Sequence, residues 1–200
     1  ATIEQQALAQ IEGLHLAKKE AVERYFRTTP EAYSERADGE VGAQLTELVD
    51  SRVGMGATGE TYLSEYDGGT YTLRSDIPIT GGGDLVHGTD VTDIAPEYMK
   101  RAHRGESGHD ILTDSEGTLI MAVYTPIEYG GANMALVTKK NLEEALTVTL
   151  GGSQQDYLTR YTEQLGYYDL FLIHPEGEVF YSVAKESDYQ TNIIDGEFAD

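Results

Sequence analysis

Across Gly54, Gly56 and Gly59 the hydrophobic period of the chain switches from helical to strand-like. Before the switch, Ala7, Ile11, Leu14, Ala21 and Tyr25 recur at spacings of three, four or seven, with Glu4, Glu12, Lys18, Lys19, Glu20, Glu23 and Arg24 between them. That pattern predicts one long amphipathic helix from Ile3 to about Phe26, with no proline until Pro30 and Gly13 as its only weak point. Its apolar stripe is narrow and Lys18 interrupts it, so the helix is expected to pack weakly on its own subunit and to serve as a stalk. A shorter helical stretch runs through Val41, Leu45, Leu48 and Val49.

After the switch, Thr61 to Tyr66 and Thr70 to Ser75 read as two strands joined by Asp67-Gly68-Gly69, a hairpin signal because glycine tolerates positive φ. Ile77 to Pro96 holds Pro78, Gly81-Gly82-Gly83 and Gly88, too much glycine for a regular element, and predicts a long loop at the surface or over a pocket. Pro96 opens a short helix, PEYMKRAH. Strand patterns follow at His109 to Thr113, Thr118 to Ile127 and Asn133 to Lys139. NLEEALT and QQDYLTRYTEQLG read as helices, and YYDLFLIHPEGEVFYSVAK as a hairpin turning at Pro175-Glu176-Gly177, before an irregular acidic tail. Neighbouring strands without βαβ alternation predict an α+β fold around a five-stranded antiparallel sheet, with the Pro96 helix and the glycine loop on one face. The final hairpin is expected to form a partial second sheet, and its likeness to the first suggests an internal repeat.

Composition removes several functions. With 35 Asp and Glu against 14 Lys and Arg, the net charge is −21, which repels phosphate backbones and anionic headgroups. The acidity suits attraction of cationic ligands such as amines, or solubility in salty surroundings. Zero cysteines exclude disulfides, thiol nucleophiles and Cys-ligated zinc. No stretch approaches the roughly 20 apolar residues of a membrane span. The opening ATIEQQALAQIE lacks a basic n-region and an apolar h-region, so no signal peptide is expected in this sequence, which is then cytosolic or part of a longer exported protein.

Chemistry-bearing motifs are few. G-x-S-x-G, H-E-x-x-H and G-x-x-x-x-G-K are absent, and no catalytic residue, cofactor or metal is assigned. HRGESGHD, with His103, Glu106, His109 and Asp110, and the group Asp84, His87, Asp90 and Asp93 have nitrogen and oxygen donors, but their spacing fits neither an EF-hand nor a helical zinc pair. They read as solvated groups. The chain has 14 tyrosines and no tryptophan, and an aromatic ring with a hydroxyl suits a small polar pocket as well as a core edge. Arg74 and Asp76 end the second strand beside the glycine loop, and Tyr124 and Thr125 lie on the longest apolar strand. The guanidinium could fork onto a carboxylate and Asp76 could hold an ammonium, or the two are simply a solvated pair at a hairpin end.

Three passages together resemble the extracytoplasmic sensory domains of methyl-accepting chemotaxis proteins and related sensor kinases, of the double-module Cache (PAS-like) type. LHLAKKEAVERYF resembles their stalk helix; GETYL…RSD with SGHDI…LIMAVYTPI…MALVTKKNLEEA resembles the membrane-proximal module; LGYYDLFLIHPEGEVFYSVAKESDYQTNIIDGEFAD resembles the start of the membrane-distal one. In the family the last passage normally precedes the second, the reverse of the order here. The resemblance implies a stalk at 1–55, a PAS-like sensor module at 56–150, and a helix and hairpin at 151–200 beginning a second module. It also implies a ligand-sensing, non-enzymatic domain outside the membrane, a small-molecule partner (amino acid, organic acid or amine), and a homodimer through the stalk helix. Membrane attachment would then run through segments outside this sequence. It places the pocket between the sheet and Ile77 to His103, with Arg74, Asp76, Tyr98, Tyr124 and Thr125 as binding residues. Two rival functions make different predictions. A hydrolase using Asp84, Asp90, Asp93 or Glu106 requires a buried carboxyl with a raised pKa; a protein-binding module requires an exposed apolar patch instead of a pocket.

Overall fold

The computed structural model describes residues 3–79, 83–147 and 156–196 of the protein. Gly81 and Gly82 of the expected loop, the first residues of QQDYLTRYTEQLG and the end of the acidic tail lie outside the described residues. The chain divides into two compact units, residues 1–111 with 121–140, and residues 112–120 with 141–200.

The first unit opens with α1 (Ile3–Thr28), the one-turn α2 (Pro30–Ser34) and α3 (Gly39–Val49). Then come β1 (Glu60–Asp67), β2 (Thr70–Leu73), a 3-10 turn at Thr92–Ile94, α4 (Glu97–His103), β3 (Gly108–Thr113), β4 (Leu119–Pro126) and β5 (Asn133–Asn141). The strands form one five-stranded antiparallel sheet in the order β2-β1-β5-β4-β3, so the fold is α+β as expected. β1 lies against β5 in a long register from Glu60 opposite Lys139 to Tyr66 opposite Asn133. Near-continuous burial along β1, β4 and β5 marks strands covered on both faces rather than one.

Two expectations are corrected here. The helix does not pack weakly: Ala7, Ile11, His15, Lys18, Val22 and Phe26, a 4-4-3-4-4 series, are all buried. Counting apolar residues alone placed the stripe along Leu14, Ala21 and Tyr25, because the true line passes through His15 and Lys18, polar residues that an apolar count skips. Nor does the second half of the glycine loop lie over the sheet face. It runs along the open edge of β2, where Leu73 N donates to Thr89 O (3.0 Å), Val91 N to Tyr71 O (2.9 Å) and Gly88 N to Leu73 O (2.8 Å). His87 then tucks against α3, so closely that a Cβ on Gly42 would meet its ring at 2.3 Å. An edge strand offers unpaired backbone groups, and a glycine-rich segment is free to satisfy them.

The second unit holds α5 (Leu142–Leu146), α6 (Tyr157–Leu165), β6 (Phe171–Ile173) and β7 (Val179–Ser182). β6 and β7 pair as a separate two-stranded sheet, in line with the expected partial second sheet. Its closure depends on Asp169. One carboxylate oxygen accepts from the amides of Leu170 (2.6 Å), Val183 (2.8 Å) and Ala184 (3.0 Å), and the other from the Ser182 hydroxyl (2.7 Å). Burial opposes ionisation there, but those hydrogen bonds hold the Asp169 pKa below the usual aspartate value. Asp156 caps α6 through the Thr159 amide (2.9 Å) and also accepts from the Tyr181 hydroxyl (2.9 Å), tying helix to hairpin. Among the described residues no helix is long and apolar enough to cross a membrane.

Candidate functional site

Side chains alternate along β1, β4 and β5, so the five-stranded sheet has two faces of different chemistry. The face under α1 and α3 buries an apolar cluster that includes Phe26, Leu45, Leu63, Met134 and Leu136. Beside it runs a line of polar groups. Lys18 Nζ donates to Thr61 Oγ1 (3.0 Å), Thr61 Oγ1 is 2.9 Å from Thr138 Oγ1, and His15 joins Thr138 through Nδ1 (2.9 Å) and Thr125 through Nε2 (2.9 Å). One helix is thereby hydrogen-bonded to three strands, β1, β5 and β4. Burial, then the charges of Lys19 and Lys18, lowers His15 to about 4; burial lowers Lys18 to about 8, with Asp50 acting against it and Arg52 with it.

The opposite face lies under α4. Tyr62 and Tyr98 share a hydrogen bond between their side chains, and burial, followed by Tyr98, raises the Tyr62 pKa well above its ordinary value. His103 Nδ1 is 3.0 Å from Asn133 Oδ1, an acceptor only, so Nδ1 carries the proton and Nε2 accepts from the Ser64 hydroxyl at 2.9 Å. Burial lowers the His103 pKa in spite of the Asn133 bonds. Tyr124 is fully buried on this face, with the Arg101 guanidinium 5.0 Å from its ring centroid. Among the described residues its hydroxyl makes no hydrogen bond of good geometry, and burial, followed by the Asp110 carboxylate beside it, raises its pKa. The glycine at the start of β3 leaves room for that hydroxyl: a Cβ on Gly108 would lie 2.9 Å from it. An unpaired buried hydroxyl costs about 1–3 kcal/mol, which makes Tyr124 the group on this face with most to gain from a new partner.

The five expected binding residues fall on both sides of the sheet. Tyr98 and Tyr124 are on the α4 face. Thr125 points the other way, to His15. Arg74 is also on the helical side, where its Nε donates to Glu65 Oε2 (2.6 Å) while Arg36 holds the same carboxylate through Nε (3.0 Å) and Nη2 (2.5 Å). Burial alone would raise Glu65, but the two guanidiniums keep its pKa below the ordinary glutamate value. Asp76 braces the loop: its amide donates to Thr46 Oγ1 on α3 (2.9 Å) and its carboxylate accepts from His87 N (2.8 Å). Members of the two His/Asp groups are similarly occupied. Arg101 takes Glu106 (2.9 Å) and Asp110 (3.1 Å), Arg104 takes Glu106 (3.2 Å) and Glu97 (2.7 Å), and Asp90 accepts from the amide (2.9 Å) and hydroxyl (2.6 Å) of Thr92. For Asp90 and Glu106 the shift runs opposite to the raised carboxyl that the hydrolase reading requires. Hydrogen bonds from Thr92 lower Asp90, and Arg101, ahead of Arg104, lowers Glu106.

Arg101, His103 and Tyr62 join this face without having been singled out as ligand-binding. His103 and Arg101 lie within or beside HRGESGHD, and Tyr62 shares its face of β1 with Ser64 and Tyr66; strand alternation together with the α4 boundaries could have grouped them.

No family model and no curated protein matches the chain. Solved structures do. The sensory domain of the Campylobacter jejuni chemoreceptor Tlp3 aligns at 14% identity over 92% of this chain and 74% of that one, with a TM-score of 0.43. The ligand-binding domain of the Pseudomonas aeruginosa amino-acid chemoreceptor PctC, in complex with GABA, aligns at 16% identity over 92% and 78%, with a TM-score of 0.44. The ligand-binding domain of the Pseudomonas fluorescens chemoreceptor CtaA, with L-valine, aligns at 14% identity over 96% and 80%, with a TM-score of 0.37.

Proposed function

We propose that this chain is the extracytoplasmic small-molecule sensor of a membrane receptor, a chemoreceptor or a sensor kinase, that binds its ligand on the α4 face of the sheet and reports through α1. Residues 56–150 are the sensing module in this reading, and 151–200 begin a second one. The ligand is an amino acid, organic acid or amine, and no chemistry is done on it. The sequence passages quoted above and the α+β fold support the family, and one observation carries the mechanism. β1 and β5 are gripped from both sides: on the α4 face Ser64 and Asn133 hold His103, and on the other face Thr61 and Thr138 join Lys18 and His15. A ligand that shifts α4 therefore acts on the strands to which α1 is hydrogen-bonded, and it moves the helix by as much as it binds the two arrangements differently. Tyr98, Tyr124 and Arg101 face the ligand; Arg74 and Asp76 position the helical side and the loop. The receptor is a homodimer through the outer face of α1, where Leu16 is 55% exposed.

A thermal-shift screen of amino acids, organic acids, amines and purines tests this, because a ligand that binds only the folded state raises the midpoint by mass action. A compound that stabilises the protein, but not its Tyr124→Phe variant, is the expected result. No shift from any class, or an equal shift in Tyr124→Phe, would overturn this site.

A further inference from the structure

Away from the α4 face, the second unit contains a cavity of about 100 Å³ beside the turn joining β3 to β4, lined by Thr118, Asn141, Glu143, Glu178, Phe180 and Tyr189 among others. By comparison with a cavity of roughly 150 Å³ that accepts benzene, it has room for about four heavy atoms. We propose that this cavity binds a small primary ammonium ion, and that Lys185 is its built-in competitor.

The lining carries two carboxylates and two aromatic rings, a combination that recognises cations through charge and ring face together. The protein already seats an ammonium there. Lys185 Nζ donates to Glu143 Oε1 at 2.9 Å and lies 5.0 Å from the Tyr189 ring centroid, while the Tyr189 hydroxyl donates to the same Glu143 carboxylate. The Lys185 side chain is 54% exposed, so solvent screens its ion pair with Glu143, and its backbone at φ 51 lies in the left-handed region that a lysine rarely adopts. Glu178 is the second carboxylate. It accepts only from the Thr113 hydroxyl, at 3.2 Å, and has no cationic partner among the described residues. Two carboxylates against one lysine leave one negative charge for a monocation, and the rings favour one with a short alkyl tail. A free amine would sit on Glu178 and the rings and displace Lys185 from the face of Tyr189. This site is independent of the α4 face, so it stands or falls separately from the sensor reading.

Titration calorimetry of the whole chain with propylammonium chloride tests it, with propionate and potassium chloride as controls at matched ionic strength. Saturable binding of propylammonium alone is expected. It should tighten at least threefold in Lys185→Ala, which removes the competitor, and weaken at least tenfold in Glu178→Gln. Phe180→Leu keeps both charges and should weaken binding as well, so it decides the matter if Glu178→Gln fails to fold. No binding of propylammonium to either the parent or Lys185→Ala would overturn the proposal. So would equal competition by potassium, or unchanged affinity in both Glu178→Gln and Phe180→Leu. In Tyr124→Phe the propylammonium affinity should equal that of the parent even where the screened ligand no longer binds.

Discussion

His15 and Lys18 lie on the buried side of α1, and each titrates at a cost to the folded state. His15 is lowered from 6.5 to about 4, so between those values the unfolded chain binds a proton that the folded chain refuses, and stability falls as pH drops through that window. Lys18 is lowered from 10.5 to about 8, so here the unfolded chain again binds the extra proton, and stability rises as pH climbs from about 8 to 10.5. Urea unfolding against pH should show both slopes. His15→Leu should flatten the acid one, and Lys18→Met the alkaline one; slopes unchanged in both variants would mean that the pair is solvated. Tyr124→Phe removes a buried hydroxyl that makes no hydrogen bond of good geometry among the described residues. Its unliganded melting temperature should therefore stay level or rise, by up to about 1 kcal/mol of stability, whereas loss of a hydrogen-bonded hydroxyl would lower it. Arg74→Ala should destabilise by about 1–3 kcal/mol even without ligand, because buried Glu65 then depends on Arg36 alone. A melting temperature equal to that of the parent would free Arg74 for a binding role.

Local signals in the sequence were enough for most elements and insufficient for their faces. The long helix, the Asp67-Gly68-Gly69 hairpin and the strands later found as β3, β4 and β5 follow from period and turn chemistry, which act over a few residues. α2 was missed because a single turn begun by Pro30 has no period to detect. The loop's course along β2 was missed because backbone pairing to an edge leaves no side-chain pattern. Which candidate residues meet was legible only in part. Alternation separates Tyr124 from Thr125, but Arg74 reaches the helical side through Glu65, nine residues earlier, and such a pairing is fixed by the register of β1 and β2 rather than by spacing. In the second unit, a two-stranded sheet is marginal in water, so Asp169 matters more than a single side chain usually does. Asp169→Ala should remove four hydrogen bonds to one charged group and selectively speed amide exchange in β6 and β7. Uniform protection in parent and variant would show that the hairpin is held by something else.

At the scale of the molecule, the first unit is a sheet held between a helix that carries a buried polar line and a shorter helix that covers aromatic and histidine side chains. Both helices are hydrogen-bonded to β1 and β5, so a change at one face reaches the other through the strands they share. The overall charge of −21 belongs to this scale too: it discourages anionic macromolecular partners without selecting any ligand. The link from the α4 face to α1 can be measured directly by hydrogen exchange. Amides of α1 around His15 to Lys18 would be followed with and without the stabilising compound from the screen, in the parent and in Tyr124→Phe. Ligand should change protection in that stretch of the parent, and in Tyr124→Phe the change should vanish. A compound that binds the parent tightly while α1 exchanges at the same rate with and without it would contradict the account.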